Sequence, residues 1–170
     1  MKAIIAAAPY LITALLCFFL TRGRGKPLKP ERRAWAAISA VVLLLGAVRP
    51  YEVYSGITGV LRTSAMTSGW YAERADQQLD LVYVMAFLMA VLGAFILFET
   101  RKWHASTRAA MFALLYLAGL LVLNILSLHG LDRLLGRAVA GVPLRWFLDF
   151  AGLGAMLAAS LSFRRIADAA

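Results

Sequence analysis

Two histidines and one cysteine are all that this chain offers of the residues that most often bind metals or cross-link. Cys17 has no partner for an internal disulfide. It lies inside an apolar run, where a small filler is the ordinary role of a free cysteine. His104 and His129 stand at opposite ends of one apolar run, so they cannot share a haem. His129, Asp132 and Glu52 have ligand chemistry but come from scattered helix ends without a metal-binding spacing. No metal and no cofactor is expected. The chain also lacks internal repeats, low-complexity tracts, a nucleophile motif and the spacing of a phosphate-binding loop. Behind the first apolar run, Phe18-Phe19-Leu20-Thr21-Arg22 offers no small-residue cleavage site, and the run is longer than a usual signal core. A retained helix is expected there. Acidic residues are scarce as well, nine against eighteen Lys and Arg.

What the chain has is apolar length. Hydrophobic residues make up 62% of 170 positions, mean hydropathy is +0.74, and nothing is left over for a soluble domain. About 20 apolar helical residues cross the roughly 30 Å hydrocarbon layer, and only helices or closed barrels satisfy their backbones there. Barrel strands alternate apolar and polar residues, whereas these runs are continuous. The expected fold is therefore all-α, a polytopic transmembrane helical bundle forming one integral membrane domain over residues 1–170. Its spans are placed at about 3–20, 34–54, 79–98, 109–128 and 143–163. The second run is the shortest, because Arg49–Pro50 interrupts it unless the helix continues toward Tyr54. Four spans plus an interfacial helix is the alternative.

Charge orients the bundle, since Lys and Arg collect in cytoplasmic loops. One side holds Arg22, Arg24, Lys26, Lys29, Arg32, Arg33, Arg101, Lys102, Arg108, Arg164 and Arg165, against Glu31, Glu99 and Asp168. The other holds Lys2, Arg49, Arg62, Arg74, Arg133, Arg137 and Arg145, nearly balanced by six carboxylates. A bacterial inner-membrane protein with its N-terminus outside and its C-terminus in the cytoplasm follows. Basic loops at helix ends answer to topology and anionic headgroups, not to a nucleic-acid duplex, which needs a single-faced patch. Residues 21–33, with two glycines and two prolines, read as a solvated turn.

The longest segment outside the runs is 49–78, on the outer face. Ile57, Val60, Leu61 and Ala65 recur there at helical spacing, which suggests a short amphipathic helix within the outer interfacial segment 55–78. Gly56 and Gly59 weaken it. Ser68 can cap the next helix. Ala86, Ala90 and Ala94 form a small-residue stripe that permits close approach of another helix. Asn124 and Ser127 share a face and are expected to bond a neighbouring helix.

Most chemically capable side chains converge at the outer boundary. Arg49 and Glu52 end the second run. Tyr71, Arg74 and Gln78 open the third on one helical face, beside Trp70. His129 and Asp132 end the fourth, and Arg145, Trp146 and Asp149 open the fifth. Each has a plain role, as aromatic belt, snorkelling cation or helix terminator. Asp149 is the hardest to dismiss, because an ionisable group inside a span is a functional candidate by default.

Two runs, Gly69-Trp70-Tyr71-Ala72-Glu73-Arg74 with Gln78, and Ser127-Leu128-His129-Gly130-Leu131-Asp132, resemble signatures of an uncharacterised family of small bacterial multi-span membrane proteins. That family has a G-W-Y-x-x-R-R-x-x-Q run before one span and an S-x-H-x-x-D run after the next. Ala75 stands where the second Arg would be, so a role for paired guanidinium groups is not carried over. The resemblance implies a multi-span fold and no particular activity.

Two functions of different class remain. The first is a non-catalytic accessory or assembly component, with membrane lipids as partners and other membrane proteins or a second copy of the chain as further ones. The second is an enzyme or binding protein for a lipid or lipid-linked anionic ligand at the outer face. There His129 would act as general base, Asp132 as its orienter, and Arg74 with Arg49 as the anion clamp.

Overall fold

The computed structural model of the chain describes residues 2–21, 29–48, 59–60, 63–64, 66–67, 74–125, 138–139 and 142–169. Five helices hold nearly all of them: α1 Lys2–Thr21, α2 Lys29–Val48, α3 Arg74–Glu99, α4 Ala105–Ile125 and α5 Leu144–Ala169. A two-residue antiparallel pair, β1 Ala138–Val139 with β2 Val142–Pro143, leads into α5. The chain is thus all-α in class. Three helices are long and apolar enough to cross a membrane, over Asp80–Glu99, Ala105–Asn124 and Leu144–Ile166, and α1 carries a shorter apolar stretch, Ala7–Phe19.

Four helices close a ring. α1 packs on α2 and α5, and α4 packs on the same two. The core between them holds Tyr10, Ala14 and Cys17 from α1, Trp35, Ile38, Val42 and Leu45 from α2, Ala110, Ala113 and Leu117 from α4, and Leu153, Met156, Ala159 and Phe163 from α5. Two glycines set the closest approaches. A Cβ on Gly46 would lie 2.6 Å from the Tyr10 Cβ, and one on Gly152 would lie 2.6 Å from the Leu117 Cδ2. Helix backbones draw together where a side chain is missing.

α3 lies outside this ring, against α4. Only 11% of its apolar window is buried, against 28% for α4 and 33% for α5. Over residues 80–99, whose burial is described, its inward edge is a single row, Val82, Met85, Met89, Gly93 and Ile96, the positions that are not exposed. Gly93 faces Phe112 and Leu115. Within the chain the small-residue stripe of Ala86, Ala90 and Ala94 is exposed, and the close approach to α4 is made by Gly93. Phe87, Phe95 and Phe98 point away from the bundle, each more than half exposed. A helix that is apolar all round suits a lipid surface as well as a protein one, and so its packing row is invisible to periodicity.

The basic turn at 21–33 is corrected. α2 starts at Lys29, five residues before the apolar run. Pro30 suits a first helical turn, where no intrahelical partner is lost, and Glu31 there complements the positive helix end. At 1.5 Å rise the twenty residues of α2 extend about 30 Å. Its ends are fixed at different levels, since Gly46 meets Tyr10 about midway along α1 while Trp35 meets Phe163 near the end of α5. The starts of α2 and α4 and the end of α5 therefore share one end of the bundle. These are the segments that carry the larger cation excess.

Of segment 49–78, the described pieces 59–60, 63–64 and 66–67 are helical. Thr63 and Thr67 bond back to carbonyls one turn earlier, at Gly59 and Thr63. Val60 and Met66 are exposed. Ile57, Leu61, Ala65 and Ser68 lie outside the described residues. So does Ser127, while Asn124 donates back to the Leu120 carbonyl at 2.8 Å within its own helix.

Candidate functional site

Among the described residues the best-formed polar site lies at the basic end, and it is built from residues that the outer cluster does not include. It begins with helix periodicity. Glu31, Trp35, Ile38, Val42 and Leu45 follow one another at intervals of four and three, so Glu31 falls on the core face of α2. Its side chain is fully buried. A carboxylate there must be bonded or it destabilises the fold, and α4 supplies the donors. The Thr107 hydroxyl donates to Glu31 Oε2 at 2.6 Å. His104 Nδ1 lies 3.0 Å from Oε1, and the His104 backbone N–H reaches the same oxygen at 3.4 Å.

The carboxylate thereby caps a helix to which it does not belong. α4 begins at Ala105, and Arg108 N–H donates to the His104 carbonyl in the first helical bond. The His104 amide is one of the orphan donors that every helix start must satisfy. Glu31 takes it up and places negative charge at the positive end of the dipole.

A second layer fixes the first. Trp35 Nε1–H donates to Thr107 Oγ1 at 3.2 Å, so that hydroxyl both gives and receives. Ser39 returns a bond to the Trp35 carbonyl at 2.9 Å. Phe163 of α5 closes the side, its ring 5.5 Å from Trp35 and 6.1 Å edge-on to His104. The carboxylate thus joins α2 to the start of α4, and α5 packs against the two aromatic rings beside it. Ser106, buried beside this knot in sequence, has a hydroxyl without a hydrogen-bond partner.

His104 is the one member that reaches out, with 41% of its side chain exposed. A carboxylate on Nδ1 fixes the tautomer and leaves Nε2 as the second ring nitrogen for other contacts. Glu31 and His104 are only two groups. Among the described residues no three His, Cys, Asp or Glu side chains come together in a way that could hold a metal ion.

The outer candidates are described less fully. Arg49, Glu52, Tyr71, His129 and Asp132 lie outside the described residues. Arg74 opens α3 and Gln78 follows one turn later, but their side chains fall outside the described part as well. Asp149 is half-buried in the second turn of α5. Next to it, the Tyr116 hydroxyl of α4 donates to the Leu148 carbonyl at 3.3 Å. Arg145 is exposed at the same end.

The basic-end knot escapes a reading based on charge because Glu31 looks like one carboxylate among solvated cations. The signal that finds it is its register with Trp35, Ile38 and Val42, together with a hydroxyl in the first turn of α4. No known protein family, no curated protein and no solved structure matches the chain.

Proposed function

We propose that this chain is a five-span integral protein of a bacterial inner membrane that serves as a non-catalytic accessory or assembly subunit. Its basic end lies in the cytoplasm, which leaves the N-terminus outside. The observation that carries this reading is how Glu31 is used. The carboxylate on the core face of α2 is fully buried, and it spends its acceptors on Thr107 and His104. Such a group ties helices together and is not presented to a substrate. α3 supports the same reading. It is held by one row of residues and leaves its other sides apolar and open, as suits a helix that meets lipid or a neighbouring membrane protein. Five spans are favoured over four because α1 and α2 are each twenty residues long and pack against one another and into the same core.

Purification in native lipid, with the co-purifying proteins identified, tests the proposal. A stoichiometric membrane partner, or a stable self-assembly, is expected. A monodisperse monomer that turns over a lipid-linked substrate would refute it.

A second reading has one observation in its favour. Asp149 lies about 7.5 Å along α5 from its start at 1.5 Å per residue, and ionisable groups inside spans mark functional sites. An enzyme or binding protein for an anionic lipid-linked ligand would then use Arg49, Glu52, Tyr71, Arg74, Gln78, His129 and Asp132 around it. His129→Ala separates the two. It abolishes activity with folded yield unchanged in that reading, and lowers folded yield if the cluster is structural.

A further inference from the structure

We propose that the basic end of the bundle binds the headgroups of anionic phospholipids, with the turn between α3 and α4 as its best-formed part. The inference rests on the chain being embedded in a bilayer. The turn is held by its own backbone: Thr100 N–H bonds the Ile96 carbonyl at 2.9 Å and Trp103 N–H bonds the Thr100 carbonyl at 2.8 Å. His104 then anchors it to Glu31. Cations on it are therefore carried by a fixed frame.

Arg101 identifies the depth. Its guanidinium lies over the Phe98 ring, 5.0 Å from the centroid, and Phe98 is 64% exposed on the outward side of α3. A cation resting on an aromatic ring at the last turn of an apolar helix sits where hydrocarbon gives way to headgroups. A lipid phosphate occupies that level, whereas a free anion has no reason to. Lys102 is exposed beside it.

The same level recurs on the other helices. Glu31, His104 and Phe163 meet in one knot, which brings exposed Arg32 and Arg33 of α2 and exposed Arg164 and Arg165 of α5 to the same end. Cations from α2, the α3–α4 turn and α5 thus gather at one end of the bundle, where the apolar segments finish or begin. Cations supplied by three separate segments at one level match a charged plane. Glu31, the acid nearest in sequence to Arg32 and Arg33, is withdrawn into the core. Basic groups between helices at the cytoplasmic surface are suited to anionic headgroups.

The test uses the full chain in phosphatidylcholine vesicles doped with spin-labelled phosphatidylglycerol or spin-labelled phosphatidylcholine. The fraction of each label immobilised at the protein surface is measured. A several-fold preference for phosphatidylglycerol is expected, falling with added salt. Arg101→Gln and Lys102→Gln each lower it, by up to about fivefold per charge, while Arg145→Gln at the opposite end leaves it unchanged. Equal immobilisation of the two lipids overturns the proposal, as does a preference that survives both substitutions or is lost with Arg145→Gln. Inorganic phosphate that competes better than chloride at equal ionic strength also overturns it, because the site would then be one for small anions. A chain that fails to float with the vesicles overturns the membrane reading itself, so the two failures are distinct.

Discussion

Replacing Glu31 by alanine removes the acceptor on which the basic end converges. Three donors lose their partner together: the Thr107 hydroxyl at 2.6 Å, His104 Nδ1 at 3.0 Å and the His104 amide at 3.4 Å. An orphaned buried donor costs about 1–3 kcal/mol, and loss of a helix cap typically about 1 kcal/mol. The amide contact is long and contributes least. His104 is partly exposed and recovers some of its loss by bonding water, so its share is discounted. Thr107 keeps its bond from Trp35 and can rotate, but no acceptor replaces the carboxylate. We therefore expect Glu31→Ala to lose about 2–4 kcal/mol of unfolding free energy. Glu31→Gln keeps an acceptor for Thr107 and the same volume, and should lose roughly half as much. Reversible unfolding of the purified chain in mixed micelles, followed by circular dichroism, measures both. A Thr107→Val and Glu31→Ala double-mutant cycle should show coupling of about 0.5–3 kcal/mol. An alanine variant within about 0.5 kcal/mol of the parent, or a cycle without coupling, would refute the claim that this knot holds α2 to α4.

Gly152→Leu should destabilise by about 1–3 kcal/mol or more through overpacking, because even its Cβ would stand 2.6 Å from Leu117 Cδ2 and 3.0 Å from Tyr116 Cδ1. Gly154→Ala, with nothing within 4 Å, should be neutral or stabilise by up to about 1 kcal/mol through helix propensity. The pair is compared in one unfolding assay, and equal effects would contradict the placement of α5 on α4. On α3, Phe87→Leu should leave stability unchanged, whereas Met89→Ala on the inward row should lose about 2 kcal/mol or more. The reverse order would turn the helix round. Arg74 is expected to couple to Asp132 or Glu52 by about 0.5–3 kcal/mol in a double-mutant cycle, and zero coupling with both would leave it a headgroup-binding residue.

The helices were legible because helices able to cross a membrane need long continuous apolar runs, and each of the five runs carries a helix. Their ends were less so. α2 starts at Lys29 because Pro30 and Glu31 are good first-turn residues, yet the same residues among Arg32 and Arg33 look like a solvated loop. The burial of Glu31 depends on donors 73 and 76 positions away, which no local pattern contains. The one local sign of it is a four-and-three register with Trp35, Ile38 and Val42, which a reading of 21–33 as a solvated turn passes over. α3 shows the opposite difficulty. Where lipid is as apolar as leucine, the packing row of Val82, Met85, Met89 and Gly93 has no hydropathy contrast with the exposed sides. The alanine stripe faces outward and takes no part in the packing of α3 on α4.

The central claim, a membrane bundle with its basic end in the cytoplasm, is tested most directly by labelling single cysteines with a membrane-impermeant maleimide. Cys17 is fully buried and serves as the silent background. Lys102→Cys, in the exposed turn between α3 and α4, should be protected in intact spheroplasts and should react in inverted vesicles. Gly136→Cys should show the opposite pattern. Labelling of Lys102→Cys from outside would reverse the bundle, and equal labelling of both positions from either side would contradict a membrane-spanning fold.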